Sequence, residues 1–470
     1  MHRRHSPGFR LFLAALVGVI LMIPLVMVYG LVSDRQHQAR IAQDTIVAGA
    51  GGTQVVSGPV LVIPYEVERS TVETVDGRTM TRKVTTRHQL FLSPETQDIA
   101  TTLEPERKRK SIYETVVYEA EMRGTARFAL PEDFERSGVR RDDLLLGEAQ
   151  LRFGASDMRG LRAPAQVRVD GKALALKPGE GVAASGGAGF HGFVDWSAGE
   201  PLSVEWRFTL NGSRTLSLVP RGGQTDWTVT SPWPHPGFAG SFLPDEREIS
   251  SDGFTASWSV GNLALGQSLV LKNDPRPPVI TDAVGEYAVP MREAHEGVED
   301  PGTSMAATIN LIDPADVYAQ VDRAVKYGFL FIGFTFLAYL MFDIIGGARV
   351  ATAEYLLTGV GLVLFFVLLL AFAEVIAFAL AYIAASTAII GLLTAYSAAV
   401  LGSWRRAAMI GGLLVALYAV LYVLLSLEAF SLLVGSLLLF AALAAVMYAT
   451  RQIDWSAVGP PQAVEDDQAP

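Results

Sequence analysis

Two apolar runs constrain this chain more than any other feature. From Tyr355 to Leu401 there are 47 residues whose only charge is Glu374, and from Ala407 to Ala449 there are 43 whose only charge is Glu428. A single α-helix of either length would measure roughly 65–70 Å at 1.5 Å per residue, more than twice the ~30 Å hydrocarbon core of a bilayer. Each run must therefore fold back. The lone charge near each midpoint marks the turn, because a carboxylate at a hairpin tip sits in water, whereas at the bilayer centre it costs about 2.5–3.5 kcal/mol. Two further spans are expected: Phe9 to Val32, whose only charge is Arg10, and Tyr327 to Ile345, with Asp343 near its end. The total is a six-span α-helical bundle. The first span reads as an uncleaved anchor, since its apolar core is longer than the 7–15 residues or so of a signal peptide and no small-x-small site follows; Pro24 is expected to kink it.

Basic residues in short loops set the orientation, because Lys and Arg stay on the cytoplasmic side. Arg3, Arg4 and Arg10, then Arg349, then Arg405 and Arg406, and finally Arg451 all fall on one side of a six-span arrangement, while the tips at Glu374 and Glu428 carry none. Tyr29, Trp404, Tyr448 and Trp455 sit near the expected interfaces, as belt aromatics do. The expected division is a cytoplasmic N-terminus over 1–8, transmembrane helix 1 over 9–32, a periplasmic domain over 33–325, helix 2 over 326–345, a cytoplasmic loop over 346–353, helices 3 and 4 over 354–398, a second cytoplasmic loop over 399–406, helices 5 and 6 over 407–449, and a cytoplasmic tail over 450–470.

Composition agrees with a chain part of which lives in lipid: half the residues are apolar, 18% are charged, and the mean hydropathy is +0.30. The hydrophobic parts hold eight basic and eight acidic residues, so the whole net charge of −10 belongs to Ser33 to Arg323. An acidic domain has no basic face for nucleic acid. The absence of cysteine excludes thiol nucleophiles, disulfides and Cys-ligated metals. None of the seven histidines forms an H-E-x-x-H pair, no G-x-S-x-G elbow occurs, and no cofactor is called for.

The polar block has a β texture. Val55–Glu68, Lys83–Ser93, Ser111–Leu130, Leu202–Pro220 and Asp226–Trp233 are rich in β-branched and aromatic residues and are broken by Gly, Pro and Asn-Gly, which favours an antiparallel, sandwich-like domain. Asn211-Gly212 reads as a hairpin turn. The glycines of Ala48 to Thr53 read as a turn before the first strand, and Arg107 to Lys110 as a solvated basic loop. The stretch from Ser33 to Val47 is helix-compatible. Asp313-Pro314 reads as a helix start whose helix runs unbroken into the second span.

Two groups are candidate functional residues. The stretch Ser231 to Pro244, with four prolines, Trp233, His235, Phe238 and Phe242, offers either a rigid aromatic surface for a glycan or partner, or a corner fixed by proline geometry and core packing. The interfacial acids Asp343, Glu354, Glu374 and Glu428 are turn residues, or, for the outer pair, carboxylates that could hold a proton or a cation or act as acid and base. Gly359, Gly361, Gly411, Gly412, Gly435 and Ser436 would permit close helix packing.

Five blocks, Gly58–Tyr65, Leu210–Pro220, Ser231–Pro244, Asp313–Asp343 and Gly435–Trp455, occur in the order seen in the CreD inner-membrane protein family, which the chain resembles from Phe9 to Trp455. The resemblance implies a Gram-negative inner membrane location, a large periplasmic domain, and a link to envelope stress and colicin tolerance under a two-component regulator. It brings no catalytic residue with it; where family members tend to carry Glu at the end of the second span, this chain has Asp343, which keeps the charge. The resulting expectation is a non-enzymatic membrane protein whose β-rich domain supports the cell envelope, its partners being the lipid bilayer and an envelope protein, lipid or glycan. A transporter or flippase of an amphipathic envelope substrate is the second reading, and a periplasm-facing enzyme using Glu374 and Glu428 the third.

Overall fold

The computed structural model describes residues 7–75, 78–162, 164–282, 285–287, 303–311, 317–345, 351–426 and 431–451. It divides into two compact units: a helical unit, Met1–Arg40 with Ala315–Pro470, and a β unit, Ile41–Pro314.

The helical unit contains most of α1 (Pro7–Ala50), then α2 (Val317–Lys326), α3 (Gly328–Ile345), α4 (Thr352–Ala373), α5 (Phe378–Leu401), α6 (Trp404–Ser426) and α7 (Ser431–Thr450). Among the described residues, four helices are long and apolar enough to cross a membrane: α1, α4, α5 and α6. The α2–α3 pair adds a fifth if counted as one span. This is a membrane protein. The expectation that α2 runs unbroken into the second span is corrected: the chain breaks at Tyr327 and bends by 41°. Glycine is a poor helix former, and a side chain on Gly328 would lie 2.8 Å from Leu25 and 3.0 Å from Phe366, so the bend brings backbone directly onto side chains of α1 and α4. Asp313 and Pro314, expected to start that helix, lie outside the described residues.

The bundle core forms where Leu21, Leu25, Val28 and Val32, spaced three and four apart along α1, meet Phe331, Phe365, Phe366 and Tyr418. Of the small residues, Gly359 takes the close approach of Leu21, Gly361 that of Leu393, and Gly411 that of Thr394, whereas nothing approaches Gly412 and only Tyr327 reaches Gly435, at 4.0 Å.

The β unit has two large sheets. One contains β1 (Gln54–Val75), β2 (Arg78–Leu92), β5 (Ala149–Ala155), β7 (Gly189–Val194), β9 (Thr215–Val219), β11 (Pro236–Gly240) and β14 (Ala307–Leu311). The other contains β3 (Thr96–Lys110), β4 (Tyr113–Phe128), β6 (Gln166–Val169), β8 (Leu202–Ser213), β10 (Gln224–Ser231), β12 (Glu246–Ser250) and β13 (Gly253–Gly261). Most pairings are antiparallel, but β1 runs parallel to β9 and β3 parallel to β10, a departure from the all-antiparallel expectation. The second sheet alternates cleanly: Leu202, Val204, Trp206, Phe208 and Leu210 are buried, while Ser203, Glu205 and Arg207 are exposed.

The first sheet does not alternate, because both its faces are covered. Val56, Leu61, Ile63 and Tyr65 join the core shared with the other sheet, whereas Val55, Val60 and Val62 pack on Val182, Ala184, Val219 and Ala306. Inward positions switch from even to odd numbers between Val56 and Leu61. A β-bulge between Ser57 and Val60, with Gly58 at φ +99°, supplies the extra residue that re-phases the strand.

Asn211-Gly212 is not a turn. β8 continues through both residues, and the chain crosses to the other sheet at Arg214, at φ +59°. The basic run Arg107–Lys110 is exposed as expected, but it is the end of β3 and not a loop. After α1 ends at Ala50, Gly51, at φ +104°, donates to the Val47 carbonyl and leads into β1.

Asp157 fixes that start. Its carboxylate is bonded by the Arg159 guanidinium at 2.7 Å and by the Gly52 N–H at 3.0 Å, which hold its pKa down to about 2 against partial burial. A depressed carboxyl stabilises the fold fully above its unfolded value of ~3.9 and stops doing so as pH falls through about 2, a contribution of about 2 kcal/mol. Asp157→Asn is therefore expected to flatten the acid limb of a thermal-melt series between about pH 5 and 2 and to lower the melting temperature near pH 7. An unchanged acid limb would contradict the assignment.

Candidate functional site

Glu374 follows the last residue of α4, and the chain turns there into α5. Its carboxylate lies 3.8 Å from the Arg35 guanidinium on α1 and accepts a hydrogen bond from the Tyr318 hydroxyl on α2 at 3.4 Å. The side chain is 16% exposed. The lone charge of the first long run is thus neutralised by a cation just past the apolar part of α1, and three helices meet on it. On the same helix as Tyr318, the Lys326 ammonium pairs with Asp322 at 2.6 Å and lies 6.0 Å over the Tyr29 ring.

Glu354 stands at the opposite end of α4, where its carboxylate accepts the Ala351 N–H at 2.7 Å. This is one arm of a capping box; alanine has no oxygen for the reciprocal arm. The acid is spent on a helix terminus whose free N–H groups need an acceptor. Deeper in the unit, fully buried Tyr339 and Ser397 share a hydrogen bond, Ser397 donates to the Leu393 carbonyl at 2.6 Å, and Tyr382 donates to the Tyr418 carbonyl at 2.6 Å. The buried hydroxyls of Thr335 and Thr358 have no partner among the described residues. Asp343 belongs to α3 but its side chain lies outside the described residues, as does Glu428 altogether, the expected partner of Glu374.

The stretch Ser231 to Pro244 carries the chain from β10 in one sheet to β11 in the other and back to β12. Its aromatic side chains turn inward. Trp233 is 9% exposed, donates to the His235 carbonyl at 3.1 Å, and has the Arg107 guanidinium 5.5 Å from its ring. Phe238 packs edge-on against Phe254 and Trp258, and the Phe242 carbonyl accepts from the Trp258 indole at 3.2 Å. His235 alone among the four candidates is exposed.

Arg35 and Tyr318 were not singled out from the sequence, although a basic residue directly after an apolar span is a signal that could have found Arg35. A second charged group was also missed. On the outer face of the first sheet Arg221 and Asp274 pair with side chains 2% and 7% exposed, and Asp274 accepts the Ala183 N–H. Beside them, burial lowers the pKa of Arg152 against the opposing pull of Glu180 and Asp274. Among the described residues no group of three or more His, Asp or Glu side chains could hold a metal ion.

Comparison with known proteins places this architecture. Residues 6–456 match the family described as Inner membrane protein CreD. The chain is 33% identical over 453 residues to Inner membrane protein CreD of Escherichia coli (strain K12), covering 94% of this chain and 92% of that protein. Among solved structures, an M1 zinc metallopeptidase from Deinococcus radiodurans aligns at 10% identity over 50% of this chain and 53% of its own, with a TM-score of 0.18. A mutant of that peptidase bound to a Tyr-Ser-Ala substrate aligns at 11% identity and a TM-score of 0.20 over the same shares. Scores that low support no argument about fold or chemistry. The helical unit, the β unit and a match over nearly the full length agree: the chain belongs to the CreD family of inner membrane proteins.

Proposed function

We propose that this protein supports the integrity of the cell envelope, and tolerance to envelope stress or colicin, as a non-enzymatic six-span membrane protein that holds its β unit in the periplasm to bind envelope protein, lipid or glycan. The observation that carries the reading is the separation of charge along the helices. Arg405 and Arg406 open α6, one helix length from Glu374, and the positive-inside rule assigns their end to the cytoplasm. Glu374 and its partner Arg35 then mark the outer end, and the chain leaves the helical unit after Arg40, a short way past Arg35 in sequence. The sixth span is α7, twenty residues without a charge. Both acids with described side chains serve helix ends, which supports an anchor over a catalytic role. In the 231–244 stretch, His235 is the candidate contact, with Trp233, Phe238 and Phe242 supporting it from within.

Reporter tags inserted after Glu200, Glu374 and Glu428 are expected to report externally; a cytosolic signal from any one overturns the topology. In cells lacking the native protein, the Glu374→Gln, Glu428→Gln double variant is expected to restore envelope-stress tolerance fully. Loss of tolerance with normal protein levels would favour the enzyme reading. The transporter reading draws on Thr335 and Thr358, whose fully buried side chains put hydroxyls inside an otherwise apolar helical unit. Substrate movement abolished by Thr358→Val, with tolerance lost in parallel, would favour that alternative.

A further inference from the structure

The covered outer face of the first sheet holds more positive charge than negative. Strand register sets the positions: Val60 of β1 pairs with Arg152 of β5, and Arg152 with His191 of β7, so the three stand in one row across the sheet. The side chains of Arg152 and His191 are 10% and 7% exposed, and that of Arg221, just past β9, is 2% exposed. One acid is buried with them, Asp274. Two guanidiniums against one carboxylate leave a surplus cation, and a buried charge is costly unless it is paired. Arg152 is also held in a fixed direction, since its Nε and Nη2 both donate to Gln150 Oε1, at 3.0 and 2.7 Å. Further donors stand on the same face: the Arg221 Nε and the Ser57 hydroxyl have no partner among the described residues. At the rim Lys177, cross-strand from His191, holds its ammonium 4.8 Å over the Phe193 ring.

The balancing acid is a residue that can leave. Glu180 Oε2 lies 3.4 Å from Arg152 Nη2 and 4.0 Å from His191 Nε2, yet the Glu180 side chain is 55% exposed. It belongs to a strap, Gly179 to Gly189, closed at its neck where the Gly179 N–H donates to the Gly189 carbonyl at 2.9 Å and the Gly181 N–H to the Gly187 carbonyl at 3.1 Å. Val182 and Ala184 seat the middle of the strap on Val55, Val60 and Val62, and Asp274 accepts the Ala183 N–H. Glu180 stands outside that seat, at φ +51°, a left-handed conformation that strains a residue with a side chain. The cations are therefore fixed on paired strands, while their outer counter-charge hangs from a loop and, being half in water, holds them weakly. We infer that this face is a binding site for an anionic group, a carboxylate or a phosphate, and that Glu180 is its built-in competitor. The ligand replaces the Glu180 carboxylate and forks onto the Arg152 guanidinium, the geometry in which arginine binds such groups best. Only Glu180 has to move, because Val182, Ala183 and Ala184 keep their own contacts. The site is independent of which side of the membrane the β unit occupies.

Titration calorimetry on the full-length chain in detergent tests this with three probes: inorganic phosphate, acetate and dihexanoyl phosphatidate. Glu180→Gly removes the competing carboxylate and suits the left-handed backbone. A group that fills a site about nine-tenths of the time weakens the apparent affinity about tenfold, so Glu180→Gly is expected to bind at least one probe about tenfold more tightly than the native chain. Binding of phosphate or acetate identifies a site for a free anion, and binding of phosphatidate alone a site for a lipid headgroup. Adding Arg152→Gln to Glu180→Gly is expected to abolish binding. Arg152→Lys, which keeps the charge and loses the fork, is expected to fold and to bind more weakly. The inference is overturned by equal affinity of the native and Glu180→Gly chains, by no binding of any probe to Glu180→Gly, or by binding undiminished in either Arg152 variant. Tolerance in cells does not enter the measurement, so its outcome is separate from that of the proposed function.

Discussion

Asp274→Ala is expected to destabilise the β unit by about 3–5 kcal/mol, the usual consequence of removing one member of a buried ion pair. The Arg221 side chain is 2% exposed and has Asp274 as its counter-charge, itself 7% exposed. Deleting the carboxylate strands the guanidinium on a face otherwise built from Val55, Val60, Val62, Val182, Ala184 and Val219. The same carboxylate caps the short turn Ala183–Ser185 through the Ala183 N–H, and it opposes the desolvation of Arg152, so the substitution removes support from two cations and one covering segment. The double variant Arg221→Met, Asp274→Leu is expected to recover most of the loss, because apolar residues of similar volume often replace a buried pair at little cost. Denaturant unfolding of the full chain in detergent, followed by tryptophan fluorescence, measures both. Proteolysis between Gly179 and Gly189 should accelerate in the single variant and not in the double one. A loss below about 1 kcal/mol for Asp274→Ala would show that Arg221 finds water or another partner.

That second face explains what sequence could and could not reveal. Strand positions with one wet side are legible from period-two alternation, as from Leu202 to Leu210, because each residue's environment is fixed by its parity. The start of β1, VVSGPVLVIPY, hides its parity: both faces are buried and the bulge at Gly58 shifts the phase midway. Parallel partners such as Gln54↔Leu216 are chosen by tertiary packing across long loops, which leaves no local trace. The candidate site divides in the same way. Glu374 stands out as a solitary charge, but Arg35 and Tyr318 reach it from distant helices. In Ser231 to Pro244 the prolines announce a corner, while the inward direction of Phe238 depends on β13, which supplies Phe254 and Trp258. The bend at Tyr327 likewise depends on Leu25 and Phe366 pressing on Gly328.

Gly212→Ala is expected to cost about 3 kcal/mol, and the reason is the one that keeps Asn211-Gly212 from being a hairpin. In β8, Gly212 is paired with Tyr118 of β4, and a Cβ there would stand 2.3 Å from the Tyr118 hydroxyl oxygen and 2.4 Å from the ring carbon bearing it. The ring cannot swing aside cheaply. Tyr118 is buried, and its hydroxyl donates to the Thr215 carbonyl at 2.7 Å, just past Arg214 where the chain passes from one sheet to the other. Yielding to a methyl group would break that bond, leaving a buried hydroxyl and a carbonyl unpaired, on top of overpacking strain of roughly 1–3 kcal/mol. Glycine is therefore required by a neighbour's bulk and not by a turn. The two positions should be strongly coupled: in a Tyr118→Leu background, which is itself destabilised, Gly212→Ala should cost less than about 1 kcal/mol. A double-mutant cycle read by denaturant midpoints tests this directly. Equal costs in both backgrounds would mean that the strand needs Gly212 for its own conformation, and the hairpin reading of Asn-Gly would regain its force.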